Sequence, residues 1–278
     1  MTGAGLALGS AACYGVADVV GGLLARRADF RAVAFLGQVG GLGCALVAAV
    51  LLPAPDVRSA DLAWGALSGA GTGAAMVFLY RGIARGAMSV VVPVSAVGGV
   101  AIPVVAGVVL LGDRPSAAVW AGIALVLPAL WLVSRSRPDE HGPVRAALRD
   151  GLVASLGIGV QYLALAQAGD GSGAWPVAAG RVAAVLVIGV PPGTVRRRFP
   201  DVRTALWAAA SGTVAAAALV LYLQATREQL TVVAVVLSSL YPVVPVLAGV
   251  LWLRERLSAA QAAGLAGAGA AVVLLTLQ

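Results

Sequence analysis

Apolar runs of about twenty residues recur along almost the whole chain and leave only short polar gaps between them. A bilayer core about 30 Å thick is crossed by roughly 20 residues of α-helix, which rises about 1.5 Å per residue. Spanning β-strands would be segments of about ten residues with alternating polarity, and these runs lack that pattern. The sequence therefore predicts an all-α integral membrane protein with ten transmembrane helices. The ten runs lie at approximately 4–24, 32–52, 62–80, 87–111, 116–134, 149–168, 174–193, 203–223, 230–253 and 258–277.

Charged residues are too few to cover the surface of a water-soluble protein. They make up 11% of the chain, against about 25% in soluble domains, and 60% of the residues are hydrophobic. All 19 basic residues are Arg, and nearly all lie in the polar gaps. The net charge of +7 comes with no basic patch interleaved with aromatic residues, which argues against a nucleic-acid partner. The predicted partner is the lipid bilayer.

The second half of the chain repeats the first. Residues 80–134 laid on residues 222–276 without a gap match at 20 of 55 positions, where roughly 7 would be expected from so biased a composition. With one gap the match extends upstream, where Trp64, Ser68 and Gly69 fall on Trp207, Ser211 and Gly212. In the first two helices of each half, the alignment rests only on the match between Gly37 and Gly180.

Five helices in each half would make the halves enter the membrane from opposite sides. The predicted fold is therefore two inverted five-helix repeats, a design that suits alternating access. We assign residues 1–134 to the first repeat, 135–148 to a cytoplasmic linker and 149–278 to the second repeat. The odd-numbered loops hold fifteen arginines and the even-numbered loops three. The positive-inside rule then predicts a multi-pass protein of the cell's inner (plasma) membrane, with both termini on the extracytoplasmic side.

Two ionisable residues, Asp18 and Arg181, lie well inside apolar runs. A charge at the bilayer centre costs about 2.5–3.5 kcal/mol on insertion scales, so such a residue normally faces the bundle interior or a cavity. We predict that Arg181 meets an anionic group of the substrate and that Asp18 meets a cation or carries a coupling proton. The alternative is that the two charges pair with each other and touch no substrate.

Polar and aromatic residues of other helices are further candidates for the same binding site. Residues 64, 68, 72, 76 and 80 recur every four positions and form one slowly drifting helix face, and a similar series begins at residue 207. Taken singly, each of these residues could instead form an interhelical hydrogen bond or an interfacial anchor. The candidates are Tyr14, Gln38, Trp64, Tyr80, Gln161, Trp207 and Tyr222.

Prolines fall in the fourth and ninth runs, which are corresponding helices of the two halves. Each proline removes a backbone hydrogen bond and bends its helix, and paired interruptions often mark the site or hinge of a transporter. We predict interruptions or hinges at Pro93 and Pro103 in the fourth helix and at Pro242 and Pro245 in the ninth.

The end of each half resembles the EamA-like family of the drug/metabolite transporter superfamily. The resemblance rests on PVVAGVVLLGDRPSAAVWAG (103–122) and PVLAGVLWLRERLSAAQAAG (245–264). The second copy keeps the acid, Ser and Gln-x-x-Gly of the family pattern at Glu255, Ser258 and Gln261, whereas the first has Asp113 and Val119 in place of Glu and Gln. The resemblance implies secondary transport or export through a central cavity lined by the first four helices of each half. It implies neither a particular substrate nor any binding residue.

Together these features predict a secondary-active transporter, an exporter or permease of a small polar metabolite such as an amino acid, which works by alternating access. A lipid flippase or a non-transporting scaffold subunit is the alternative. A membrane enzyme is disfavoured because the lone His141 lies in a loop and no catalytic or metal-binding motif occurs. No cofactor and no metal site are predicted, and the sequence leaves the oligomeric state undetermined.

Overall fold

The computed structural model describes residues 2–85, 88–110, 112–134, 144–189, 200–244, 247 and 258–276. These residues form ten α-helices and one 3-10 turn at Asp170–Ser172, and no strand occurs among them. The helices are α1 (Gly3–Ala25), α2 (Phe30–Leu51), α3 (Ser59–Ala84), α4 (Met88–Leu110), α5 (Ala117–Ser134), α6 (Val144–Leu165), α7 (Trp175–Gly189), α8 (Val202–Glu228), α9 (Thr231–Ser238) and α10 (Ala259–Thr276).

The all-helical fold is confirmed for the described residues, and each apolar run overlaps one of these helices. By length and composition, α1, α2, α3, α8, α10 and residues 90–109 of α4 could each cross a membrane, and α5 and α7 are shorter apolar helices. Helix α6 begins at Val144, inside the segment assigned to the linker, and carries charged residues in its first two turns. His141 and the rest of the linker up to residue 143 lie outside the described residues.

The two proline-bearing helices differ from each other. Helix α4 runs without a break through Pro93 and Pro103, so the expected interruption is absent there. A proline inside a helix removes one backbone hydrogen bond, and packing against neighbouring helices can maintain the helix around it. Helix α9 instead ends at Ser238, and a turn follows through Pro242, so a hinge at Pro242 stays a prediction. Pro245 lies outside the described residues.

The packing of the helices follows the internal repeat. Helix α3 packs on α6 and α7, and its counterpart α8 packs on α1 and α2, which are the counterparts of α6 and α7. Helix α2 packs on α7, and α5 packs on α10, so each of these pairs joins counterpart helices. Exchanging the halves therefore leaves the main packing pattern unchanged, as a pseudo-two-fold relation requires.

Glycines allow the closest crossings between the halves. A Cβ atom placed on Gly212 of α8 would lie 2.6 Å from Cα of Gly37 in α2. At the equivalent crossing, a Cβ atom on Gly180 of α7 would lie 2.8 Å from the carbonyl oxygen of Gly65 in α3. Small residues of this kind let membrane helices approach backbone to backbone. Gly37 and Gly180, which align with each other in the internal repeat, therefore lie at equivalent crossing points.

Candidate functional site

Arg181 lies in the middle of α7 and is almost completely enclosed by protein. Its side chain is 1% exposed, as is that of Gln38 on α2. The NH1 group of Arg181 donates a hydrogen bond of 2.6 Å to Oε1 of Gln38. Gly41, one turn further along α2, leaves room for the arginine. A Cβ atom added at Gly41 would lie 3.4 Å from Cδ of Arg181.

Two further donor groups of this guanidinium have no acceptor in the part of the chain that the structure describes. Nε and NH2 of Arg181 are buried and make no hydrogen bond with the described residues. Leaving a charged donor buried without a partner costs several kcal/mol, so such groups in folded proteins call for an explanation. Since Gln38 is neutral, its single hydrogen bond does not compensate the positive charge. Arg181 therefore presents two donors that suit a carboxylate or another anion.

Asp18 lies on the first helix beside a small internal cavity of about 40 Å³. Gln161, Tyr14, Tyr162 and Tyr241 line the same cavity. Within the described part of the chain the carboxylate forms no hydrogen bond and no ion pair, and this includes any pair with Arg181. The two intramembrane charges therefore do not neutralise each other by direct contact.

A chain of hydrogen bonds runs beside this cavity. Gln161 Nε2 donates to the hydroxyl oxygen of Tyr14 at 2.9 Å, and its Oε1 accepts from the hydroxyl of Thr72 at 2.7 Å. The hydroxyl of Ser68 donates to the backbone carbonyl of Gln161 at 2.8 Å. Tyr14 lies within electrostatic range of both Asp18 and Arg181. These hydrogen bonds connect α1, α3 and α6.

All five tyrosines of the protein lie in this interior. The rings of Tyr162 and Tyr222 are 4.6 Å apart, and the Tyr222 hydroxyl donates to the carbonyl of Tyr162 at 2.9 Å. Tyr14 packs between Tyr162 and Tyr241, at 6.4 Å and 6.3 Å. Tyr80 lines a neighbouring crevice together with Gln38. The interior thus offers aromatic faces and hydroxyl groups next to the two charges.

The polar residues of the interior occupy equivalent positions of the two repeats. Arg181 and Gln38 are separated by 143 residues, the same spacing as Trp64 and Trp207. Asp18 and Gln161 have this spacing as well. At each of the two positions one repeat carries a neutral amide and the other a charge. The sequence comparison missed this relation because the paired residues are not identical.

Sequence reasoning also missed two buried carboxylates at the ends of the interface between α3 and α6. Asp150 is 1% exposed, and its carboxylate accepts from Arg81 and, at 3.3 Å, from NH1 of Arg85. At the opposite end Asp61, also 1% exposed, accepts from the backbone N–H groups of Arg58 and Gly169, at 2.9 and 2.8 Å. These contacts hold the two halves together at both ends of the helices.

Arg227, at the end of α8, adds to the second of these clusters. Its NH2 group donates to the backbone carbonyls of Gly169 and Gly173 and to the hydroxyl of Ser172, at 3.0 to 3.2 Å. Both ends of the α3–α6 interface therefore carry charges that looked like ordinary loop charges in the sequence.

Two of the predicted candidates lie outside the interior group. Trp64 is 39% exposed and Trp207 is 53% exposed, and both begin the second turn of their helices. A spacing of four residues drifts by about 40° per step, so four steps take Trp64 about 160° around α3 from Tyr80. This position is typical of tryptophans anchored at the membrane interface. The structure brings together the other seven candidates: Tyr14, Asp18, Gln38, Tyr80, Gln161, Arg181 and Tyr222.

The fold and its charged interior define a membrane protein of the transporter class, built from two equivalent helical halves. The chain belongs to the EamA-like transporter family, whose model matches residues 1–135 and 151–277. A solved crystal structure has the same fold, with a TM-score of 0.70 at 18% sequence identity over 99% of this chain and 96% of that chain. No curated protein matches the sequence.

Proposed function

We propose that the protein is a secondary-active transporter that carries a small polar metabolite across the plasma membrane by alternating access. It would do so with ten spans in two inverted halves, and with Asp18 and Arg181 at the substrate site. The observation that carries the proposal is the guanidinium of Arg181, which is buried in the middle of a helix and has two donor groups, Nε and NH2, without a partner among the described residues. An anionic group of the substrate would accept from these donors and compensate the charge.

Asp18 gives the site its second charge. Its carboxylate faces a cavity and has no partner among the described residues, so it is available to a cationic group of the substrate or to a coupling proton. Because Tyr14 lies within electrostatic range of both charges, we place all three residues at one site, where a molecule carrying both signs would contact each charge. The substrate favoured by this arrangement is a small zwitterion or an anion.

The space beside Asp18 holds only one or two water molecules, because its volume is about 40 Å³ and a water occupies about 30 Å³. A metabolite would therefore need the helices to move apart. The charge clusters around Asp150 and Asp61 lie at opposite ends of the interface between the halves. Alternate separation of the two ends would expose the site to one side of the membrane at a time, as alternating access requires.

The test is transport by the Arg181→Ala variant. Cells that overproduce the wild-type protein are compared with empty-vector cells by metabolite profiling, and the metabolite that changes is then used in proteoliposomes. We expect Arg181→Ala to abolish saturable flux while the protein remains folded in the membrane, and Asp18→Asn to abolish the dependence on a proton gradient. Arg203→Gln is the matched control because Arg203 is an exposed arginine of α8.

Normal flux in Arg181→Ala would remove this residue from the site. Movement of labelled lipid without movement of a soluble metabolite would favour the flippase alternative, and the absence of both would favour a scaffold subunit. Tags at the two termini test the proposed topology, in which both are accessible from outside. Detection of the termini on opposite faces would contradict ten crossings.

A further inference from the structure

A second charged cavity lies apart from the central site, between the end of α3 and the beginning of α6. Its volume is about 110 Å³, and it is lined by Arg81, Arg85, Ala146, Arg149 and Asp150. Four of the five lining residues are charged, in contrast to the apolar surface of most of the bundle. The volume corresponds to three or four water molecules and accommodates a phosphate group.

The cavity has a net positive charge. Asp150 is buried and accepts from Nε and NH2 of Arg81 and from NH1 of Arg85. One carboxylate thus fixes two guanidinium groups and neutralises only one of them. Arg149 is exposed and has no ion-pair partner among the described residues, so three arginines face one acid.

The arginines of the cavity keep donor groups that are not used by Asp150 and are available to an acceptor outside the protein. Within the described chain, NH1 of Arg81 and the Nε and NH2 groups of Arg85 take part in none of the bonds to Asp150. Arg81 is also fixed by packing over the ring of Phe78, with 4.3 Å between Cζ and the ring centroid. Two guanidinium groups held at the rim of one cavity form a preorganised anion site, because their positions are set before the anion arrives.

The position of the cavity indicates where the anion comes from. It lies where α3 ends and α6 begins, and the topology predicted from the sequence assigns the arginine-rich odd-numbered loops to this end of the bundle. Basic pockets between transmembrane helices at that level bind the head groups of anionic lipids, and each arginine near an anionic surface contributes about 1 kcal/mol.

We infer that this cavity, lined by Arg81, Arg85, Arg149 and Asp150, is a binding site for a phosphate-bearing anion. The phosphate of an anionic phospholipid head group and a free phosphate both have the required chemistry. A bound phosphate accepts from Arg81, Arg85 and Arg149 and bridges α3 to α6, which stabilises the contact between the halves. This site does not depend on the proposed transport function.

The experiment follows thermal unfolding of the full chain in dodecyl maltoside by tryptophan fluorescence. One series adds dioleoylphosphatidylglycerol and a parallel series adds dioleoylphosphatidylcholine. A third series replaces chloride by inorganic phosphate at constant ionic strength. We expect saturable stabilisation by the anionic lipid and none by the zwitterionic lipid. Saturable stabilisation by inorganic phosphate as well would assign the site to phosphate in general.

Variants then locate the effect. Arg85→Gln and Arg149→Gln are each expected to raise the half-saturating concentration about fivefold, which is the equivalent of about 1 kcal/mol per arginine. Both side chains are partly or fully exposed, and Arg81, which holds Asp150, is left intact. Arg203→Gln is the control for loss of one exposed arginine and should leave the titration unchanged. Equal responses of wild type and both variants, or no response to either anion, would overturn the inference.

Discussion

Substitution of Gly212 by alanine tests the crossing between α2 and α8. The new methyl carbon would lie 2.6 Å from Cα of Gly37, whereas carbon atoms in contact are normally 3.5–4.0 Å apart. The carbonyl group of Gly37 would lie closer still, so the helices would have to separate by more than about 1 Å. Insertion of a methyl group into a packed site costs about 1–3 kcal/mol, and we expect the upper end of this range because the neighbouring atoms are backbone.

Gly43→Ala is the matched control on the same pair of packed helices. A Cβ atom at this position of α2 meets nothing within 4 Å, so alanine adds helix propensity without a clash. We expect the free energy of unfolding to be unchanged or to rise by up to about 1 kcal/mol. Reversible unfolding in detergent, followed by tryptophan fluorescence, measures both variants. If Gly212→Ala proved as stable as Gly43→Ala, the close backbone crossing would be refuted.

Three further predictions concern polar contacts. Asp150→Asn should lower the free energy of unfolding by about 3 kcal/mol, because it leaves Arg81 and Arg85 near the end of α3 without their buried counter-charge. Chemical unfolding in detergent measures this free energy. Tyr222→Phe should cost only about 0.6 kcal/mol in the same assay, because it removes one interhelical hydrogen bond. Hydrogen bonds from Thr204 hold the pKa of the Asp201 carboxyl below its usual range. Its capping contribution is therefore complete above about pH 4 and is lost as the pH falls further, and Asp201→Ala should remove this acid dependence of the melting temperature.

The approximate positions of the helices and the equivalence of the two halves were predictable from the sequence, because they follow from apolar runs and from the internal repeat. A run of apolar residues forms a helix wherever it crosses lipid, since backbone groups cannot remain unpaired there. The repeat then requires equivalent helices to pack equivalently, as α3 and α8 do. Asp18 and Arg181 could be singled out on the same grounds, because charge inside an apolar run is costly enough to indicate the bundle interior.

The contacts at the helix ends could not be predicted in this way. Asp61 and Asp150 lie among other charges near polar gaps, where an exposed residue and a buried one look alike. Their burial depends on partners 69 and 108 residues away in the chain, Arg81 for Asp150 and Gly169 for Asp61. The exposure of Trp64 also follows from the rotation of a whole helix, which the spacing of four residues only approximates.

At two equivalent positions of the repeats, one half carries a neutral amide and the other a charge, and this has a consequence for the ancestry of the chain. Two identical five-helix subunits would have presented the same residue twice at each position, so they would have carried each charge in duplicate or not at all. Only after duplication of the five-helix unit could Gln38 diverge from Arg181 and Asp18 from Gln161. The single acid and the single base thus belong to different halves, and a molecule held between them would have one defined polarity along the line that joins the halves.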